Sequence, residues 1–457
     1  MQLNKVKLKK QAQRFLVFYG ITFLISWVVL FLLIYVGNGR TLKQAWSILV
    51  EVCLNILSHP FYWILLLIPF LLFLLVKGLI SNYRKKGTKG LLIGLSLKVI
   101  LPLLLLFTIK ESLQYYRLSE SFDYTWDHTV ENSSSYIQDF EAQDDKQRGI
   151  HTFNIASNLN DIEKLKTHNF EWITLTPFIW QANYNEPEMG IPSEVRFQET
   201  KERYTQIKEE CDKYGIRIML KPHIWMRENV PGKWRSNIEM NDSDQWDLWF
   251  DNYEKVMLMY AQIAQDLGFE QFCVGTELES TVREKPEKWS AFIQNVKTVY
   301  TGKLTYAANW NREYQEVPFW SELDYIGIQA YFPLSDGGNP SLEQLEDAWQ
   351  PFISEMKEVS DRFQKPVLFT EMGYRSLQGT SRIPWEWGSF SHWFSKISKK
   401  EQYHCYESFF NTVWKQPWFH GVHIWEWQGS MTHGDNTSFS IEFKPAMNLV
   451  AKRFVSP

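Results

Sequence analysis

Acidic residues are nearly missing from the first 110 positions, which hold one, Glu51, against 14 Lys and Arg, a balance of +13. The remainder, 111–457, holds 34 Lys and Arg against 51 Asp and Glu, a balance of −17. The near-neutral total of −4 therefore hides two oppositely charged parts, the asymmetry of a chain that meets a membrane boundary. Cysteine is scarce: Cys53, Cys211, Cys273 and Cys405 lie far apart without metal-ligand spacing. That excludes a disulfide scaffold and a zinc module, and no metal site is expected. A Gly-rich phosphate turn is also missing. The first β-rich run passes into "NIASNLN", so a doubly wound nucleotide-binding sheet is not supported, and no nucleic-acid partner is expected. A barrel hydrolase that works through a metal would want His-x-His on its first strand; this one reads "HTFN", with His151 alone.

Long apolar runs are present, at 15–36, 52–76 and 91–109. The first carries no charge in 22 residues, enough to cross a hydrocarbon core of about 30 Å. It is too long for the core of a cleaved signal peptide. Three transmembrane helices are expected, with a lipid bilayer as partner. Five cations precede the first run (Lys5, Lys7, Lys9, Lys10, Arg14), two follow it (Arg40, Lys43), and five separate the second from the third (Lys77, Arg84, Lys85, Lys86, Lys89). This alternation puts the N-terminus in the cytoplasm and everything after residue 110 outside. Lys98, inside the third run, is read as snorkelling to the cytoplasmic face or facing the bundle. Pro60, Pro69 and Pro102 are expected to kink helices or mark their ends.

Residues 111–148 read as a polar linker. From 149 onward, β-rich runs alternate with amphipathic helices. The strand candidates are 149–156, 172–179, 216–224, 271–277, 303–309, 323–331, 366–372 and 421–427. Asp242-Ser243-Asp244 caps a helix with a buried stripe of Trp246, Trp249, Phe250, Tyr253, Met257, Tyr260 and Ala264. Ser341 and Gln344 form a capping box before another. Eight such units over 149–457 predict an α/β fold, a (β/α)8 TIM barrel preceded by the three transmembrane helices.

Chemistry in such a barrel gathers at the C-terminal ends of the strands. Those ends carry Trp180; His223 and Trp225; Glu277 and Glu279; Asn309 and Trp310; Gln329 and Tyr331; Glu371; and Trp425, Glu426 and Trp427. Glu277 and Glu371 come from the fourth and seventh strands, on opposite sides of one mouth. Two carboxylates about 5–5.5 Å apart suit retaining glycoside hydrolysis. By strand alternation Cys273, Gly275 and Glu277 share one face, as do Val367, Phe369 and Glu371. Residues 111–457 hold 18 of the 21 Trp, and indoles stack on the C–H faces of sugars. Most belong to the core; those at strand tips (Trp180, Trp225, Trp310, Trp425, Trp427) are candidate sugar contacts. Trp385 and Trp387 belong either to a cleft wall or to a packed loop. Tyr331 is placed to donate to Glu371. His223 and Asn309 are candidates for hydroxyl contacts or structural hydrogen bonds. Glu279 lies a step further out, as a sugar contact or a solvated acid.

The segments "VGTELE", "IQAYFPL", "KPVLFTEMGYRS" and "GVHIWEW" resemble glycoside hydrolase family 113 of clan A, over about 149–457. The resemblance implies a (β/α)8 barrel with retaining endo-β-1,4-mannanase activity and no cofactor. It implies Glu277 as acid/base, Glu371 as nucleophile, Tyr331 as its support, and Trp425 or Trp427 beneath the sugar next to the scissile bond. Thr276 stands where the wider clan places Asn, which leaves the 2-hydroxyl contact unassigned, and with it the choice between manno and gluco substrates. The expected function is a membrane-anchored hydrolase of a β-linked polysaccharide. A catalytically inactive membrane-tethered glycan sensor and a clan A hydrolase of another β-glycan are the alternatives. The sequence names no protein partner.

Overall fold

The computed structural model describes residues 60–118, 120, 122–130, 144–228, 230–387, 395–429, 431, 434 and 436–455, with isolated positions before 60; over 60–73 it describes the backbone alone. The chain divides into two compact units, Met1–Gln114 and Tyr115–Pro457.

In the first unit, a helix over Pro60–Leu95 continues through a π-helical turn, Ser96–Ile100, into a helix over Leu101–Arg117, of which Tyr115–Arg117 fall in the second unit. Lys86 (φ −136°) and Gly87 (φ 59°) leave helical geometry, and glycine takes a positive φ at no steric cost. Beyond this break the chain folds back on itself. A Cβ on Gly78 would stand 2.7 Å from Lys98 Nζ, and one on Gly94 2.6 Å from the Asn82 side-chain nitrogen. Lys98 thus lies against the preceding helix.

Among the described residues one stretch, Leu74–Arg117, is long and apolar enough to cross a membrane; three spans were expected over the whole chain. The run 15–36 lies outside the described residues, as does 52–59. The rest of the second run and the third fall on one interrupted helical stretch. The expected loop between them is itself helical except at Lys86 and Gly87.

The second unit is a closed barrel of parallel strands. Its staves are β1 (Gln147–Thr152), β2 (Trp172–Leu175), β4 (Arg217–Leu220), β6 (Gln271–Thr276), β7 (Lys303–Asn309), β8 (Tyr325–Gln329), β9 (Val367–Met372) and β10 (Phe419–Trp427). β1 pairs with both β2 and β10 and closes the ring. The second and third expected strands are each cut in two. Pro177 and Pro222 lack the N–H that a ladder needs. Beyond them β3 (Phe178–Gln181) and β5 (His223–Met226) leave the barrel and pair as a separate parallel ribbon.

The helices follow the sequence signals. Asp242 caps Ser243–Asp266, whose whole expected stripe is buried, and the capping box at Ser341 opens Leu342–Phe363. After β7 the helix is a stub, Glu313–Glu316. Part of the expected linker is tied to the barrel. The Glu120 carboxylate accepts from Ser398 Oγ and from the Lys399 N–H at 2.8 Å, and Asn448 donates to the Asp127 carbonyl at 3.0 Å. Cys211, Cys273 and Cys405 are buried free thiols; Cys53 lies outside the described residues.

Strict strand alternation fails at both acidic tips. A Cβ on Gly275 would meet Trp289 of the surrounding helix layer at 2.7 Å, so Gly275 faces outward rather than into the barrel. Phe369 likewise packs on Trp349 and Phe409, which are helix residues. The register slips between Cys273 and Thr276 on β6 and between Phe369 and Glu371 against β8. Such bulges re-aim the following side chain. Both glutamates reach the mouth through a bulge rather than through uninterrupted alternation.

Candidate active site

The mouth of the barrel holds a cavity of about 900 Å³ lined by residues that include Glu277, Glu371, Tyr331, His223, Trp225, Asn309, Trp310 and Trp425. Of the eleven residues given a catalytic or sugar-contacting role from the sequence, these eight therefore meet at one site.

Glu371 is 3% exposed. Lys221 Nζ donates to its Oε1 at 2.5 Å, and the Tyr331 hydroxyl donates to its Oε2 at 2.9 Å. Burial alone would raise its pKa, but Lys221 overrides burial and holds the carboxyl down at about 2. Tyr331 is pushed the other way, well above the usual phenol, by burial and then by the Glu371 charge. It keeps its proton and remains a donor. Lys221 is itself fixed by Gln329 Oε1 at 2.8 Å and the Thr370 carbonyl at 3.4 Å.

Glu277 is 5% exposed. It follows the last residue of β6 and has φ 52°. The Leu278 N–H donates to the Tyr306 hydroxyl at 2.8 Å, and the Tyr306 hydroxyl donates in turn to Glu313. Ser236 Oγ donates to the Glu277 carbonyl at 2.9 Å. The unusual conformation is thus held from two sides, as strained residues at functional sites are. Arg235 donates to Glu277 Oε2 at 2.6 Å. Burial raises the Glu277 pKa, Arg235 opposes it, and the Glu371 charge raises it further.

Two buried carboxyls in one cavity are therefore driven apart, one ionised and one inclined to hold a proton. That is the division of labour an acid and a nucleophile require. Aromatic rings wall the cavity. Trp310 stacks on Trp385 with centroids 4.9 Å apart, and Trp387 packs edge-on to Trp425 at 5.7 Å. Trp385 and Trp387 are cleft walls. The buried His223 Nε2 and Trp425 Nε1 find no hydrogen-bond partner among the described residues. Burial, then Lys221 and Arg235, keep the His223 imidazole neutral.

Three expected contacts fall elsewhere. Trp180 stands on the ribbon outside the cavity lining, 42% exposed and paired in register with Trp225. Glu279 opens a short helix, Glu279–Glu284, and faces Arg283 at 3.6 Å, turned from the mouth because the chain swings away after Glu277. Trp427 enters the main core, and its indole N–H donates to Asp161 at 3.1 Å. Of the two Trp on β10, Trp425 is the cavity residue. Thr276 is buried against Cys273, 4.0 Å from its sulfur, and is not part of the lining.

Sequence reasoning missed Lys221, Arg235 and a role for Glu426. Lys221 carried a signal: a lysine between the apolar run Ile218-Met219-Leu220 and Pro222 is a cation heading into a core. Glu426 lines the cavity, takes a hydrogen bond from Gln428 at 2.6 Å, and is raised to about 7 by burial.

The profile of Glycoside Hydrolase Family 113 matches residues 145–445. Fold and site are those of a glycoside hydrolase. Within that class, the chain belongs to Glycoside Hydrolase Family 113. Among solved structures it is similar to a GH113 β-mannanase from Alicyclobacillus acidocaldarius, at 26% identity and a TM-score of 0.59, over 68% of this chain and 97% of that one. A second, a GH113 β-1,4-mannanase, is 22% identical with a TM-score of 0.59, over 69% of this chain and all of that one (100%); at that identity it speaks for the fold. No curated protein matches the chain.

Proposed function

We propose that the protein is a retaining β-mannanase acting on β-1,4-mannan or its oligosaccharides. The observation that carries this reading is the opposite tuning of Glu371 and Glu277 within one Trp-lined cavity. The likeness to the Alicyclobacillus β-mannanase supports the choice of mannan. In the first step Glu277 gives its proton to the glycosidic oxygen as that bond breaks and Glu371 bonds to the anomeric carbon. In the second step Glu277 takes a proton from water, and the water oxygen displaces Glu371. The detergent-solubilised chain, offered mannan, glucan and xylan oligosaccharides, is expected to cleave the mannan series and release products that first appear as the β anomer by NMR. Inverted products, or no cleavage of any series, would sink the reading.

Glu277→Ala is expected to slow substrates with poor leaving groups by about 10²–10⁴-fold while sparing activated aryl glycosides. An equal loss on both kinds of substrate would rule out the acid role.

The N-terminal part is assigned to a membrane anchor with the barrel outside the cell. Support comes from the flanking cations and from Leu74–Arg117. Protease added to intact cells should digest the barrel and spare cytosolic proteins; a barrel protected until lysis would reverse the orientation.

A further inference from the structure

We infer that Arg235 is a positioning residue that sets the protonation balance of Glu277 and thereby decides which half of the double displacement limits turnover. The inference rests on the reading of Glu277 as the acid/base.

Arg235 opens a single 3-10 turn, Arg235–Asn237, in the loop that follows the β5 ribbon. Its guanidinium lies over the Trp234 ring, 3.8 Å from the centroid, and its NH2 group donates to Glu277 Oε2 at 2.6 Å. Side chains of Arg235 and Glu277 are 6% and 7% exposed, so this is a buried pair rather than a surface one. Stacking on the indole fixes the planar cation. Ser236 fastens the same turn to the Glu277 carbonyl at 2.9 Å, and Ser280 Oγ donates back to the Ser236 carbonyl at 2.7 Å. The loop therefore grips the acid/base residue by its backbone and touches its carboxylate with one fixed charge.

That charge acts in opposite directions in the two steps. Departure of the leaving group needs the neutral acid at Glu277, and a cation at hydrogen-bond distance works against it. Release of the sugar needs the carboxylate as base, and the same cation favours it. Arg235 exchanges no proton itself. The other groups coupled to Glu277 include Glu371, which favours the acid form, Lys221, which opposes it, and Glu313 and Tyr331, whose own ionisation the Glu277 charge disfavours. Lys221 is committed to Glu371, which leaves Arg235, among the described residues, as the cation in contact with Glu277.

The test is the pH profile of kcat/KM together with single-turnover kinetics for Arg235→Gln, Arg235→Lys and Ser236→Ala in the full chain. An opposite charge at this range shifts a carboxyl by about 1–3 pH units, so Arg235→Gln should move the alkaline limb upward by that amount. It should also cause the glycosyl-enzyme to accumulate, visible as added sugar mass on the intact protein. Arg235→Lys should restore much of the wild-type limb. Ser236→Ala, which loosens the loop and leaves the charge, should leave the limb in place. If Arg235→Gln lowers kcat evenly at all pH values with the limb unmoved, or if Ser236→Ala shifts the limb equally, the charge role is overturned. If Glu277→Ala itself shows no leaving-group dependence, the fault lies in the underlying acid/base assignment instead.

Discussion

Glu371→Gln is expected to lower turnover by on the order of 10⁴-fold or more, because the amide cannot form the glycosyl-enzyme bond. The fold should survive at reduced stability, since Lys221 loses its buried counter-charge, a change that costs about 3–5 kcal/mol. The amide oxygen can still accept from Tyr331, and Lys221 keeps Gln329 and the Thr370 carbonyl as partners. Binding should survive too, since Trp425, Trp310 and His223 line the cavity independently of that charge. The check has two parts: kcat on mannooligosaccharides, and calorimetric affinity for the same ligands. Loss of kcat with unchanged affinity assigns Glu371 to the chemical step. Near-full activity would remove it from the mechanism, and a matched loss of affinity would make it a binding residue.

The parts of this structure legible in the sequence are those that depend on local periodicity. The Trp246–Ala264 stripe and the caps at Asp242 and Ser341 rest on residues within one element, and the ordinal positions of the acidic tips follow from counting such elements along the chain. Errors arose where two elements interact. Glu277 and Glu371 were assigned to the mouth by counting alternate positions, yet Gly275 and Phe369 face the helix layer. A bulge is a property of paired strands and leaves little trace in either one alone. Trp427 read as a sugar platform because its partner, Asp161, comes from a helix on the other side of the chain closure. Arg235 was invisible for the same reason. It sits in an irregular loop 42 residues before Glu277, and only folding brings the two together.

Lys221→Met tests whether the nucleophile owes its ionised state to one buried cation. Lys221 is fully buried and meets Glu371 at 2.5 Å. Removing one member of a buried pair costs about 3–5 kcal/mol, because the other charge is left uncompensated. Burial would then act unopposed and lift Glu371 from about 2 to above its ordinary value. The sign of the pH dependence follows. In the parent, the folded carboxyl lies below its unfolded value of about 4.3. Its contribution to stability is present above that value and is lost as pH falls from about 4.3 toward 2. In Lys221→Met the folded carboxyl lies above the unfolded one, so acidification should relieve the strain of this group as pH falls from the raised folded value to about 4.3, and this group should add no further pH dependence below that. Activity should follow the same group: kcat/KM falls by about 10²-fold at mildly acidic pH, where the raised carboxyl holds its proton, and partly recovers as pH rises. Urea unfolding of the parent, Lys221→Met and Lys221→Met/Glu371→Gln across pH separates this pair from every other acid in the barrel. The double variant buries neither charge and should regain most of the stability lost by the single one. Should the double variant be no more stable than Lys221→Met, the cost of losing Lys221 is one of packing, and the ionisation of Glu371 must be credited to Tyr331 and the rest of the cavity.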